Sequence, residues 1–165
     1  MNKFILLITS VILFSCKGNS EKEFENFSLS ISNQNFNYNL ESGVFQIPAI
    51  NFVDTIKLNK VEKNKISKSF YKYQIDTLNG EKLILPKKPI IMPDFRDLII
   101  VKIKNIEKSK LIISNQIETK SDLNNIENGI CKFNEDLIEI LSKNPDFKDC
   151  MNILKSNYKN IPPSM

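Results

Sequence analysis

The chain has 165 residues, a formal net charge of +4 at pH 7, and a composition, 41% hydrophobic and 25% charged, that is typical of one globular domain. It contains no histidine, which excludes Ser-His-Asp and Cys-His catalysis and removes the commonest general base and metal ligand. The small net charge, without aromatic residues interleaved among the basic ones, argues against nucleic-acid binding.

Residues 1–15 have the pattern of an export signal. Lys3 precedes an apolar run at residues 4–14 that only Thr9 and Ser10 interrupt. The run is too short to cross a hydrocarbon layer of about 30 Å, which takes roughly 20 helical residues. We therefore predict a signal peptide.

The sequence Leu13-Phe14-Ser15-Cys16 resembles the lipobox of bacterial lipoproteins. The resemblance implies cleavage before Cys16, a diacylglycerol and usually a third acyl chain on that cysteine, and hence stable anchoring in a membrane. Lys17 stands where an inner-membrane retention signal would have Asp, so the resemblance implies delivery to the outer membrane. Polar residues 16–26 are then a lipidated tether. The alternative is an ordinary secretory leader or a membrane stub.

Residues 27–119 predict about eight short antiparallel strands, arranged as a sandwich or barrel. Phe27, Leu29 and Ile31 alternate with serines, which is typical of a strand with one wet face. The remaining strands are predicted at residues 36–40, 44–47, 52–58, 66–77, 81–85, 98–103 and 110–119, with residues 66–85 forming a hairpin around a three-residue loop that ends at Gly80.

Residues 86–93 contain three prolines, which exclude a helix and a central strand. They also carry three consecutive apolar side chains, Ile90, Ile91 and Met92. We predict a crossover that packs these side chains inward. The alternative is a loop that binds a partner protein.

Residues 121–158 change to helical periodicity and predict two to three short helices, which makes the fold class α+β. One or two turns would follow Ser121 and close at Gly129, and a helix capped by Asn134 would run to Lys143. A further helix would begin at the Asn144-Pro145 pair, since proline suits the first helical position. The domain as a whole is predicted to span residues 27–165.

Two cysteines remain after Cys16, at positions 131 and 150. An oxidising compartment permits a disulfide, and we predict that Cys131 and Cys150 form one, which would staple the last helix to the start of the helical segment. Two buried thiols are the alternative.

Charge is uneven along the chain. Residues 57–110 hold 14 basic residues against 6 acidic ones, and residues 118–149 hold 8 acidic residues against 4 basic ones. A solvated lysine-rich surface is the simplest interpretation, and attraction of an acidic protein or a polyanionic envelope glycan is the alternative.

Two patterns in the sequence could carry chemistry. Ser69 and Lys72 match the Ser-x-x-Lys pattern of penicillin-binding enzymes, but we assign them to a strand, where i and i+3 point to opposite faces. Asp94 and Asp97 are a candidate acid–base pair in a proline-rich loop, where ordinary surface carboxylates are equally expected. No calcium loop or glycine-rich phosphate loop occurs, so no metal or cofactor is predicted.

Asp54-Thr55-Ile56 and Asp76-Thr77-Leu78 resemble the sequon of an envelope O-glycosylation system found in some bacteria. The resemblance implies Thr55 and Thr77 as candidate glycosylation sites.

Together these features predict a lipid-anchored, non-enzymatic envelope protein that binds another envelope protein. An immunity or inhibitor lipoprotein acting against a toxin or hydrolase is the first alternative. An enzyme that uses carboxylates is the second.

Overall fold

The computed structural model describes residues 26–117 and 123–157. Within these ranges the chain forms seven strands and three α-helices, which confirms the predicted α+β class. The strands are β1 (Phe27–Ser32), β2 (Asn37–Asn39), β3 (Val44–Ile47), β4 (Phe52–Thr55), β5 (Gly80–Ile84), β6 (Arg96–Ile103) and β7 (Ile106–Ser114), and the helices are α1 (Lys60–Lys72), α2 (Asn125–Lys143) and α3 (Pro145–Asn157).

All seven strands belong to one sheet with the order β4-β3-β2-β1-β6-β7-β5. Every neighbouring pair is antiparallel except β5 and β7, which are parallel. The predicted sandwich or barrel is therefore wrong, because the sheet is single and open, with edges at β4 and β5. Helices supply the second layer that a sandwich would take from a second sheet.

The central strand β1 has the burial pattern that its sequence predicts. Phe27, Leu29 and Ile31 are buried, while the serines between them are partly exposed. Leu29 lies opposite Val101 and Ile31 lies opposite Ile99 in the register with β6. The apolar side chains of both strands therefore share one face, which is what holds the register.

The helices pack on that same face, and aromatic contacts mark where each one sits. Phe70 of α1 stacks on Phe27 with ring centroids 3.9 Å apart, and Phe133 of α2 meets Phe70 at 5.9 Å. Phe147 of α3 meets Phe45 of β3 edge-on at 5.8 Å. The core thus lies between the sheet and the three helices.

The strand predicted at residues 66–77 is wrong, since most of this stretch is helix α1 and a short 3-10 helix, Ile75–Thr77. Asn59 caps α1 and forms a capping box with Glu62, and Ile66 and Phe70 are buried one turn apart. Gly80, at φ +69°, begins β5 instead of ending a hairpin loop. Because residues 66–77 form no strand and β5 pairs with β7, no hairpin exists there.

The helical segment also begins differently from the prediction. Asn124 caps α2 in a second capping box with Glu127, so Gly129 and Asn134 lie inside the helix. The predicted start of α3 at the Asn144-Pro145 pair is confirmed, and the Phe147 N–H donates to Asn144 Oδ1 at 3.0 Å.

Candidate partner-binding site

Residues 86–93, which we call the ledge, connect β5 to β6 across the end of β7. They form the predicted crossover, but the predicted inward packing is wrong, because Ile91 is 77% exposed and Met92 is 80% exposed. Ile90 is partly buried. The physical reason is topological: the connection passes over a strand end, outside the layer between sheet and helices, and its prolines cannot join the ladder.

Gln116, just beyond β7, holds the ledge backbone in place. The Ile91 N–H donates to Gln116 Oε1 at 2.9 Å, and Gln116 Nε2 donates to the Ile91 carbonyl and, at 3.5 Å, to the Pro93 carbonyl. The Met92-Pro93 peptide bond is cis. The exposed side chains of Ile91 and Met92 are therefore presented on a backbone that is anchored to the sheet.

A groove of about 460 Å³ lies between the ledge and the end of β7. Apolar, amide and basic side chains line it, contributed by the ledge, by the residue before β6, by the residues that follow β7 and by a residue just before α2: Pro86, Lys87, Lys88, Pro89, Ile91, Met92, Pro93, Phe95, Asn115, Gln116, Ile117 and Leu123. Such a mixture suits an extended peptide better than a small apolar molecule.

Asp94 and Arg96, which follow the ledge along the chain, form an ion pair. Arg96 Nε donates to Asp94 Oδ2 at 2.5 Å, and Ser114 Oγ donates to Asp94 Oδ1 at 2.5 Å. The Asp94 side chain is only 2% exposed, whereas that of Arg96 is 41% exposed. The hydrogen bond from Ser114, together with Arg96, lowers the pKa of Asp94.

Asp94 and Asp97 do not form the acid–base pair considered from the sequence. Asp97 accepts from Asn134 of α2 at 3.0 Å and from Asn33 at 3.3 Å, on the helix-covered face. Asp94 is bonded to Arg96 and Ser114, which lie opposite each other in the pairing of β6 with β7. Arg96 and Asp97 are neighbours in β6, so their side chains point to opposite faces of the sheet. The two carboxylates therefore belong to separate networks, each satisfied by protein donors.

Arg96, which pairs with Asp94 just after the ledge, was not among the residues predicted from the sequence. It is the single arginine among the 23 basic residues of the chain. Arginine and lysine differ in geometry, since only arginine offers a planar fork of donors. Its isolation in a lysine-rich chain is the signal that was available.

The reason given for dismissing the Ser-x-x-Lys pattern is also wrong, because Ser69 and Lys72 lie on helix α1. The buried Ser69 hydroxyl donates to Asp136 Oδ2 at 2.8 Å, and the exposed Lys72 ammonium lies 4.7 Å from the centre of the Tyr73 ring. The hydroxyl is thus occupied in joining α1 to α2.

The predicted disulfide between Cys131 and Cys150 is absent, and both are buried thiols. At 1.5 Å per residue, Cys131 lies about 20 Å from Asn144 along α2, and Cys150 lies about 9 Å from it along α3. Their Cα atoms are thus at least about 10 Å apart, beyond the reach of a disulfide. Burial, with smaller contributions from Asp54 and other acids, raises the pKa of Cys150 to about 11.

The candidate glycosylation sites are both exposed. Thr55 ends the edge strand β4, and the Thr77 hydroxyl donates to the Gln74 carbonyl at 2.7 Å. Cys16 lies outside the described residues. Within residues 26–117 and 123–157, no helix combines the length and apolar character needed to cross a membrane. The same part of the chain contains no group of three or more acidic or cysteine side chains placed to hold a metal ion.

Comparisons with protein-family models, curated proteins and solved structures found no match for this chain.

Proposed function

We propose that this protein is a non-enzymatic binding module of a bacterial envelope, anchored by lipid at Cys16, which binds another envelope protein through the ledge. The observation that carries the proposal is the exposure of Ile91 and Met92 on a backbone that Gln116 holds in place. A loop that is already ordered loses little conformational entropy when a partner binds, so its apolar side chains contribute more of their burial to affinity.

The polar groups weighed for catalysis support binding over chemistry. Asp94, Asp97 and the Ser69 hydroxyl each have hydrogen-bond partners within the protein. None of the three lies in the groove, and the Ser69 hydroxyl, which donates to the Asp136 carboxylate, is buried between α1 and α2. These interactions stabilise the structure that presents the ledge.

Anchoring at Cys16 would attach the domain to the membrane from the end of the sheet opposite the ledge, because Phe27 pairs with Ile103 whereas the ledge leads into Arg96 at the other end of β6. The tether ends where β1 begins, at Phe27, and residues 17–25 reach about 30 Å when fully extended. A Cys16→Ala variant should leave the membrane fraction, whereas Lys17→Ala, which preserves the lipobox, should remain in it. If Cys16→Ala stays with the membrane, the lipid-anchor part of the proposal fails.

The ledge is tested by photo-crosslinking in cells that express the full chain. A photoreactive residue at position 92 should capture a discrete envelope protein, and the same residue at the exposed position 108, at the other end of β7, should not. Gln116→Ala should reduce the capture at position 92 because it releases the ledge backbone. No protein product at position 92, or the same products at both positions, would contradict the proposal.

The inhibitor or immunity role is the second candidate. The rigidity of the ledge favours it, since pre-organised protruding loops are typical of protease–inhibitor complexes. Purification of the crosslinked complex distinguishes the two roles. A single partner that is a toxin or hydrolase, and is inactive in the complex, indicates an inhibitor, whereas several envelope proteins in a stable assembly indicate a structural subunit.

A further inference from the structure

Two Asn-Gly pairs occur in the chain, Asn79-Gly80 and Asn128-Gly129. In this dipeptide the backbone nitrogen of the glycine can attack the side-chain carbonyl carbon of the asparagine and release ammonia. Glycine favours the attack because it has no Cβ to obstruct the approach and because its backbone reaches conformations that other residues rarely adopt. Whether a given pair reacts depends on its surroundings, and these differ between the two pairs.

Asn79-Gly80 lies at the protein surface, where the chain leaves the 3-10 helix Ile75–Thr77 and enters β5. Both residues are exposed. Asn79 Nδ2 donates to the Thr77 carbonyl at 3.1 Å, and water can replace this bond at an exposed position. Apart from its chain neighbours, a Cβ built on Gly80 would meet no atom of the described residues within 4 Å. The pair can therefore rearrange for the attack without displacing packed side chains.

Gly80 is also the terminal residue of a strand at the edge of the sheet. It is the first residue of β5 and lies opposite Ser109 of β7. Strand ends open locally at a small cost in free energy, because few contacts hold them. Such an opening makes the Gly80 nitrogen available without unfolding the domain.

Asn128-Gly129 lies inside helix α2, and both residues are partly buried. The Asn128 N–H donates to the Asn124 carbonyl at 2.9 Å, and a Cβ built on Gly129 would lie 3.6 Å from the Tyr73 carbonyl oxygen. Within an α-helix the N–H of each residue bonds to the carbonyl four residues earlier, so the Gly129 nitrogen is held by the helix backbone. Attack by this nitrogen requires α2 to unfold locally.

We infer that Asn79 is a site of spontaneous deamidation in the folded protein and that Asn128 is protected. The Gly80 nitrogen loses its proton to water and bonds to Asn79 Cγ, while the bond from Cγ to Nδ2 breaks and Nδ2 leaves as ammonia. Water then opens the resulting succinimide ring. Opening at Cγ gives aspartate, and opening at the backbone carbonyl carbon gives isoaspartate, whose main chain runs through the former side chain.

The modification changes the start of the edge strand. Either product adds a negative charge next to the exposed Glu81 in sequence order, two residues before it. Isoaspartate also lengthens the main chain by one carbon just before Gly80, which has to lie opposite Ser109. Isoaspartate should therefore disturb the beginning of the β5–β7 pairing more than aspartate does, because pairing depends on the spacing along each strand.

The test compares the two asparagines within one molecule. The full chain in mild detergent is kept for weeks at mildly alkaline pH, with and without guanidinium chloride, and peptide mass mapping measures the conversion of each amide to a carboxyl group. In the folded protein, Asn128 should react at least about tenfold more slowly than Asn79, whereas unfolding should bring the two rates within about threefold. Equal rates in the folded protein, or conversion of neither asparagine until the chain unfolds, would overturn the inference.

Two variants assign the product. Asn79→Gln keeps an amide but closes the larger ring far more slowly, so its peptide should keep its mass while Asn128 behaves as in the native protein. Asn79→Asp carries the charge with a normal main chain. Hydrogen exchange in residues 80–84 should be at least about threefold faster in the chromatographically separated isoaspartyl form than in Asn79→Asp. Equal exchange would overturn the effect on β5, and a gain of mass at position 79 in Asn79→Gln at the native rate would overturn the ring mechanism.

Discussion

The two edges of the sheet carry hydrogen-bond networks built from the same parts. At the β5 edge, the side-chain amide of Gln116 bonds to the backbone N–H and carbonyl of Ile91. At the β4 edge, the side-chain amide of Asn144 donates to the Lys57 carbonyl and to the Glu62 carboxylate at 3.1 Å. Each amide therefore fixes a loop to a neighbouring element.

Burial separates the two networks. Asn144 is 2% exposed and also accepts from the Phe147 N–H, so it joins the start of α3 to the loop before α1 and to the α1 cap. Gln116 is half-buried and supports a loop whose apolar side chains face solvent. The same chemistry stabilises the fold at one edge and presents a surface at the other, because an unmet hydrogen bond is costly only where water cannot replace it.

The largest difference in stability between the two edges is expected between the variants Phe147→Ala and Met92→Ala. Phe147 is buried against the rings of Phe36, Tyr38 and Phe45, so its truncation should lower the free energy of unfolding by about 4 kcal/mol. Met92→Ala removes an exposed side chain and should change it by less than about 0.5 kcal/mol. Urea denaturation measures both, and equal losses would show that the ledge belongs to the core.

Replacing the two amide residues, Asn144 and Gln116, by alanine should give a smaller difference in unfolding free energy between the two edges. Asn144→Ala leaves the Lys57 carbonyl and the Phe147 N–H without their partner and removes a helix cap, which should lower the free energy of unfolding by about 3 kcal/mol. Gln116→Ala should lower it by less than about 1 kcal/mol, since water reaches the ledge backbone. The exposed Asn152→Ala is the control and should have almost no effect on urea denaturation. If Gln116→Ala lowers the free energy of unfolding as much as Asn144→Ala does, the two networks do not differ in their contribution to stability.

A pH titration measures how much the bonds of Asp94 to Ser114 and Arg96 stabilise the fold. The pKa of Asp94 is lowered from its ordinary value of 3.8 by Ser114 and Arg96, so ionised Asp94 stabilises the fold above about pH 4, and this stabilisation is lost as pH falls through the depressed pKa. Asp94→Asn lacks this contribution. The difference in unfolding free energy between the native protein and the variant should therefore be constant near neutral pH and shrink below about pH 4.

Repeating that titration in high salt tests whether exposed ion pairs contribute to the pH dependence of stability. The lowered pKa of Glu139 comes from its exposed pair with Lys143, which salt screens. The contribution of the covered Asp94 should survive in high salt. A difference between native protein and Asp94→Asn that grows on acidification would contradict the assignment.

The smallest expected effect is a difference in the reactivity of two side chains, with no change in the free energy of unfolding. Because the pKa of Cys150 is raised to about 11, only about one thiol in a thousand is ionised at pH 8, and iodoacetamide should modify it slowly until urea unfolds the protein. Exposed Met92 at the ledge should instead be oxidised readily by dilute peroxide in the folded state. Peptide mass mapping follows both residues. Equal alkylation of Cys150 in folded and unfolded protein would show that α3 is not packed as described.

Local patterns predicted part of the fold correctly. Strand β1 follows from the alternation of Phe27, Leu29 and Ile31 with serines, and α3 follows from its Asn144-Pro145 start. Helix α1 was missed because the alternation of residues near its end resembles a strand, while its start signal, the Asn59 and Glu62 capping box, was overlooked. The predicted disulfide between Cys131 and Cys150 was wrong because the number of residues between two cysteines says little about the distance between them when they lie on different helices.

By itself, the sequence determined the features that depend on neighbouring residues: the α+β class, the central strand, the start of the last helix and the proline-rich ledge as a stiff connection. Only the tertiary structure decided which groups meet at the ledge. Asp94 bonds to Ser114 across 20 residues, and Ile91 bonds to Gln116 across 25. The first contact depends on the register between β6 and β7, and the second depends on the connection from β5 to β6 crossing the end of β7. Strand order and register are set by how the whole sheet and its helices bury their apolar faces, which no local pattern specifies.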